Sequence, residues 1–134
     1  MGALSTHVLD TSLGMPAQGV RVRLEAAPSP RASSSPASPS PAPPSLAPAS
    51  LATGTQLLGE GTTDEDGRVA SIGPERLEAG VYRLTFDSGA YFATSGRTNF
   101  YPEVVIVFTV ADPDEHHHVP LLLNPFGFST YRGS

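Results

Sequence analysis

Val20-Arg21-Val22-Arg23-Leu24 alternates apolar and charged residues, and Val81-Tyr82-Arg83-Leu84-Thr85-Phe86 repeats the period, with Val81, Arg83 and Thr85 opposite Tyr82, Leu84 and Phe86. A period of two belongs to a strand with one wet face. Working outward, residues 6–10 read as a strand ending in a Gly14-Met15-Pro16 turn, and residues 56–62 as another. Asp64-Glu65-Asp66-Gly67 is a turn, followed by strand residues Arg68-Val69. Residues 104–110 are β-branched and apolar on both faces, which predicts a central buried strand. Two more strands, 117–123 and 126–131, flank Asn124-Pro125. One window looks helical: Pro74-Glu75-Arg76-Leu77-Glu78-Ala79 has proline in its first turn and Gly80 as a stop. Short strands between turn signals, with one short helix, predict an all-β sandwich.

The 134 residues allow a single domain, 1–134. Residues 27–53 hold eight of the 14 prolines among Ala and Ser, with Arg31 as the sole charge. Such a stretch offers few amide donors and little to bury, so it reads as a disordered loop inserted within the domain. The net charge is −5 and the eight basic residues are scattered, which argues against a nucleic-acid partner. No apolar run approaches the ~18–20 residues needed to span a bilayer, so no membrane is expected. The first 20 residues lack a basic region followed by an apolar run, and a cytoplasmic location is expected. The absence of cysteine removes disulfides, thiolate nucleophiles and zinc–thiolate sites.

Histidine exchanges protons near neutral pH, and the chain has four: His7, His116, His117 and His118. In a strand His116 and His118 share one face and His117 takes the other. The residues alone leave this run open between a solvated turn after residues 112–115 and a metal site. In the latter, two same-face histidines would join a carboxylate such as Glu115. Arg68 reads equally as a snorkelling surface residue or as a fork of donors for an anionic oxygen. The acidic turn at 64–67 lacks the ligand ladder of a calcium loop.

At the C-terminus stand His118-Val119-Pro120-Leu121-Leu122-Leu123-Asn124-Pro125 and Ser129-Thr130-Tyr131-Arg132-Gly133-Ser134. Together with Leu4-Ser5-Thr6-His7-Val8-Leu9-Asp10 and Thr63-Asp64-Glu65-Asp66-Gly67-Arg68, they closely resemble the signatures of the transthyretin-related 5-hydroxyisourate hydrolases. The resemblance covers the chain outside the insertion. It implies a transthyretin-like sandwich of two four-stranded sheets, a homotetramer with sites at subunit interfaces, and cofactor-free, metal-free ring opening of 5-hydroxyisourate. By position it assigns the catalytic roles to His7, Arg68 and His118, and substrate binding to Tyr131, Arg132, Gly133 and Ser134. It does not say which histidine is the base. His117, Asn124 and Phe128 depart from the family's usual tyrosine, serine and tyrosine. The carrier branch of the family has lysine, glutamate and threonine at the positions of His7, Arg68 and His118, so the resemblance points to the enzyme.

Overall fold

The computed structural model describes residues 3–26 and 56–133, so the proline-rich insertion lies outside the described residues. In chain order the elements are β1 (Leu4–Asp10), β2 (Met15–Pro16), β3 (Arg21–Ala26), β4 (Gln56–Thr62), β5 (Arg68–Val69), β6 (Gly80–Phe86), α1 (Ser88–Thr94), β7 (Val104–Val110), β8 (His117–Asn124) and β9 (Gly127–Thr130). They form two sheets. One has the order β4-β3-β6-β7; the other runs β2-β1-β8-β9, with two-residue β5 added beside β1 as a fifth strand. No helix among the described residues is long and apolar enough to cross a membrane.

The alternation read in the sequence becomes a two-layer core. Leu4, Val8, Leu121 and Leu123 face Val22, Leu24, Leu84, Phe86 and Val104 across the layers, all essentially inaccessible to solvent. Burying such side chains contributes on the order of 1.5–3 kcal/mol each. The first and last parts of the chain meet directly: β1 and β8 pair in parallel over seven residues, from Leu4 opposite His117 to Asp10 opposite Leu123.

Two expectations are corrected. Residues 74–79 form no helix; the segment is irregular, and Leu77 turns into the core. Six residues offer too few intrahelical bonds to offset the cost of nucleation, and burial of Leu77 decides the path instead. The helix is α1, whose Ser-Gly-Ala-Tyr-Phe-Ala-Thr sequence carries no helical pattern. Asp87 caps it by accepting from Ala90 N, and Phe92 anchors it in the core. Nor is Val104–Val110 central. It is an edge strand that leaves Val105 and Val107 exposed at 42% and 58%. An apolar run does not say whether a strand lies at the centre or the edge of its sheet, and here one of its faces is open to solvent.

α1 and the segment after it are tied to the end of β1 by one buried carboxylate. Asp10 is fully buried and accepts from Arg97 Nη2 (2.8 Å), Tyr91 OH (2.7 Å), Ser12 N (3.0 Å) and Ser12 Oγ. Burial pushes its pKa up, but hydrogen bonds from Arg97, Ser12 and Tyr91 and the Arg97 charge outweigh it, lowering it from 3.8 to about 2. The unfolded chain therefore takes up this proton at higher pH than the folded one. The network's contribution, roughly 2 kcal/mol, is complete above about pH 4 and is lost as pH falls through about 2. In urea unfolding, Asp10→Asn should cost about 2–3 kcal/mol at pH 7 and much less near pH 2.

Candidate active site

The face of the five-stranded sheet turned away from the core carries the candidate residues. Along β1 the side chains of Ser5, His7 and Leu9 alternate outward, each half-buried, between fully buried Leu4, Thr6, Val8 and Asp10. Register then sets their neighbours. Ser5 lies opposite His118 on β8, and His118 in turn bridges to Gly133. One row along, His7 lies opposite Pro120 on one side and Arg68 of β5 on the other. Directly opposed residues have Cβ atoms about 5 Å apart. His7, Arg68 and His118, far apart in sequence, are thereby neighbours on one protomer.

Arg68 is held there by the acidic turn. Asp64 Oδ1 accepts from Asp66 N (2.8 Å) and Arg68 N (3.0 Å), and these bonds lower the Asp64 pKa. Gly67 has φ +75°, and a Cβ on it would meet Val8 O at 2.4 Å, so the turn presses its backbone onto β1. The turn is a bracket for Arg68, whose guanidinium makes no ion pair among the described residues.

A cleft of about 220 Å³ opens here, lined by Ser5, Thr6, Arg68, Val69, His116 and His118. His118 is about a third exposed or less, and its pKa is lowered, first by burial, then by the charges of His7, His116 and Arg68. It is therefore neutral, with an available lone pair, at pH 7. Its Nδ1 lies 2.8 Å from Ser5 Oγ, which also sits 3.0 Å from His116 Nε2.

Ser5 and His116 were absent from the residues assigned from the sequence. His116 is exposed, but it is no idle solvated residue: it shares Ser5 with His118. The parity of the strand placed His116 and His118 on one face, whereas nothing local revealed that β8 would lie beside Ser5. His117 points the other way and is buried. Glu115 turns from the His116–His118 pair to Arg132 (2.9 Å) and stands 3.8 Å from His117 Nε2. Among the described residues, no group of three or more His, Cys, Asp or Glu side chains could hold a metal ion.

The C-terminal residues divide. Gly133 packs against the His118 ring, its N–H donating to His118 O at 2.9 Å. Tyr131 and Arg132 instead border a larger cavity, about 340 Å³, with Ile106, Phe108, His117 and Thr130. That cavity lies toward β7 and shares His118 with the smaller cleft but lacks Arg68, so the cleft that joins His118 to Arg68 is the catalytic candidate. Ser134 lies outside the described residues.

Residues 4–133 match the HIUase/transthyretin family. The chain belongs to that family. A relative from Caulobacter vibrioides named 5-hydroxyisourate hydrolase is 39% identical, with all of both chains covered. The solved structure of Klebsiella pneumoniae 5-hydroxyisourate hydrolase is 35% identical, with 98% of each chain covered and a TM-score of 0.71. Sea bream transthyretin, solved with thyroxine, is 27% identical over 98% of this chain and 94% of its own, with a TM-score of 0.73. Both branches of the family thus share the backbone, so the fold alone does not separate them.

Gly133 offers a direct test of how the site is packed. A Cβ at that position would lie 2.5 Å from His118 Cδ2 and 3.1 Å from Pro120 Cγ. In Gly133→Ala the ring must move outward into water, and the His118 pKa should rise toward its ordinary 6.5. An NMR titration of His118 in both proteins measures the change; an unmoved pKa would mean the ring was not held by Gly133.

Proposed function

We propose that this protein hydrolyses 5-hydroxyisourate in the breakdown of uric acid, opening the six-membered ring to give 2-oxo-4-hydroxy-4-carboxy-5-ureidoimidazoline. The observation that carries the reading is a pair of imidazoles beside a guanidinium on an uncovered sheet face, in a chain similar end to end to a named 5-hydroxyisourate hydrolase. A carrier function would not call for two proton-exchanging groups beside Arg68.

Ring opening adds water across an amide-like C–N bond. The carbonyl carbon gains hydroxyl and becomes the carboxylate, the nitrogen gains the proton, and no electrons are exchanged. His118, neutral at pH 7 and partly buried, suits removal of the proton from water. His7, one row away, is placed to orient the water or to share the proton passed to the leaving nitrogen. Arg68 is permanently charged and would stabilise the oxyanion as the carbonyl turns tetrahedral. Gly133 holds the His118 ring; Tyr131 and Arg132 border the adjoining cavity that shares His118 and, with Ser134, would contact the bound substrate from that side.

The proposal includes a homotetramer and a cytoplasmic setting. Support for assembly comes from the surface. Among the described residues, no second layer lies over this sheet face, β7 and β9 are unpaired edge strands, and Val105, Val107, Phe128 and Tyr131 are exposed around them. Exposed apolar edges of this kind invite pairing with another copy.

His118→Ala and Arg68→Glu should each fold and lose at least ~100-fold in turnover. Ultraviolet monitoring of freshly generated 5-hydroxyisourate measures the loss, and wild-type-like rates would remove that residue from the chemistry. Because the His118 pKa is lowered in the free protein, the acid limb of the kcat/KM profile should lie below pH 6.5. Sedimentation equilibrium should return four times the chain mass; a monomer that is fully active would end the interface reading.

A further inference from the structure

We propose that Ser5 is a positioning residue that fixes the proton arrangement of His118: the hydroxyl accepts a hydrogen bond from His118 Nδ1–H and donates its own proton to His116 Nε2. His118 is thereby held with the lone pair on Nε2, the nitrogen left for the cleft. This inference rests on the hydrolytic reading above for its kinetic consequence, though not for its geometry.

The argument begins with the count of protons. A serine hydroxyl has one proton to give and two lone pairs to accept with. Ser5 Oγ stands within hydrogen-bond distance of two imidazole nitrogens, 2.8 Å from His118 Nδ1 and 3.0 Å from His116 Nε2. It can donate to only one of them, and the other must donate to it. At least one ring must therefore donate. His118 carries its proton on Nδ1 whenever it donates to Ser5, whether His116 receives from the hydroxyl or donates to it as well; only the reversed chain of bonds puts the His118 proton on Nε2.

Arg68 decides the direction. It lines the same cleft as Ser5, His116 and His118, and a guanidinium has donors only. An Nε2 lone pair can accept from that donor-only cation, whereas an Nε2–H would face it as a second donor. Thr6, the next residue on β1, shows that the hydroxyl at position 5 is not there for the backbone. Thr6 faces the core and spends its hydroxyl on Val119 O at 2.6 Å, while Ser5 faces outward to the imidazoles. Ring rotation is also opposed, because Gly133 packs against the Cδ2 side of His118.

The arrangement needs no proton to travel through Ser5. When His118 takes a proton from water on Nε2, Nδ1–H keeps donating to Ser5, now as a charge-assisted bond and so a stronger one. The Nε2 proton then passes to the leaving nitrogen, and the resting tautomer returns. Three groups oppose the cationic form: His7 on β1, Arg68 on β5 and His116 just before β8. Ser5 is the neutral acceptor that offsets part of their effect.

Nitrogen-15 NMR of histidine-labelled protein at pH 8 should find His118 protonated on Nδ1 in the wild type and a mixture of tautomers in Ser5→Ala. With 5-hydroxyisourate, Ser5→Ala should lower kcat about tenfold to a hundredfold with KM within about threefold, as expected for a lost orienting partner. Ser5→Thr, which retains the hydroxyl, should restore both. A wild-type His118 protonated on Nε2 overturns the proposal, whether or not the variants fold. So does a Ser5→Ala protein with unchanged tautomer and kcat, or a threonine variant that rescues neither. If the wild type opens no ring, the functional reading falls, while the tautomer comparison still decides the role of Ser5.

Discussion

The parallel ladder between β1 and β8 joins two segments more than a hundred residues apart, and its register fixes both halves of the molecule at once. Side chains alternate across the sheet, so one pairing sends Leu4, Val8, Leu121 and Leu123 into the core. The same pairing sets Ser5 beside His118 and His7 one row along. A slip by one residue on either strand would exchange these sets, placing an imidazole in the core and a leucine at the surface. The energy of burying the leucines therefore also enforces the geometry of the site.

Other elements act as brackets on this ladder. The buried Asp10 carboxylate holds Arg97, Tyr91 and Ser12 to the end of β1, and with them the helix that follows β6. At the middle of β1, the turn closed by Asp64 and Gly67 brings β5 alongside and delivers Arg68 opposite His7. On the far side, the chain end folds back so that Gly133 meets the His118 ring. These brackets rest on hydrogen bonds of the backbone and of the Asp10 and Asp64 carboxylates, and the Arg68 guanidinium makes no ion pair among the described residues.

The electrostatics of the cleft follow from crowding cations and potential cations onto a half-buried surface. Burial, His7, His116 and Arg68 all disfavour a proton on His118, which keeps a base in its neutral form where an isolated histidine would begin to charge. The backbone imposes none of this, since the thyroxine-bound sea bream relative shares it. The shared sandwich leaves function to be decided by side chains rather than by the backbone.

Residue pattern alone determined the all-β class, most strand positions, the turn at 64–67 and the opposed faces of His117 and His118, because alternation and turn chemistry are local. Motif resemblance extended this to His7, Arg68 and His118, which the fold gathers on one face. The tertiary structure decided the rest. Leu77 was drawn into the core in place of a helix at 74–79, α1 formed on a sequence without helical pattern, and Val104–Val110 became an edge. Ser5 and His116 entered the site only through a strand partner more than a hundred residues away. Neither burial by distant residues nor the register of a long-range ladder is written in local sequence, because both depend on which surfaces meet when the whole chain closes.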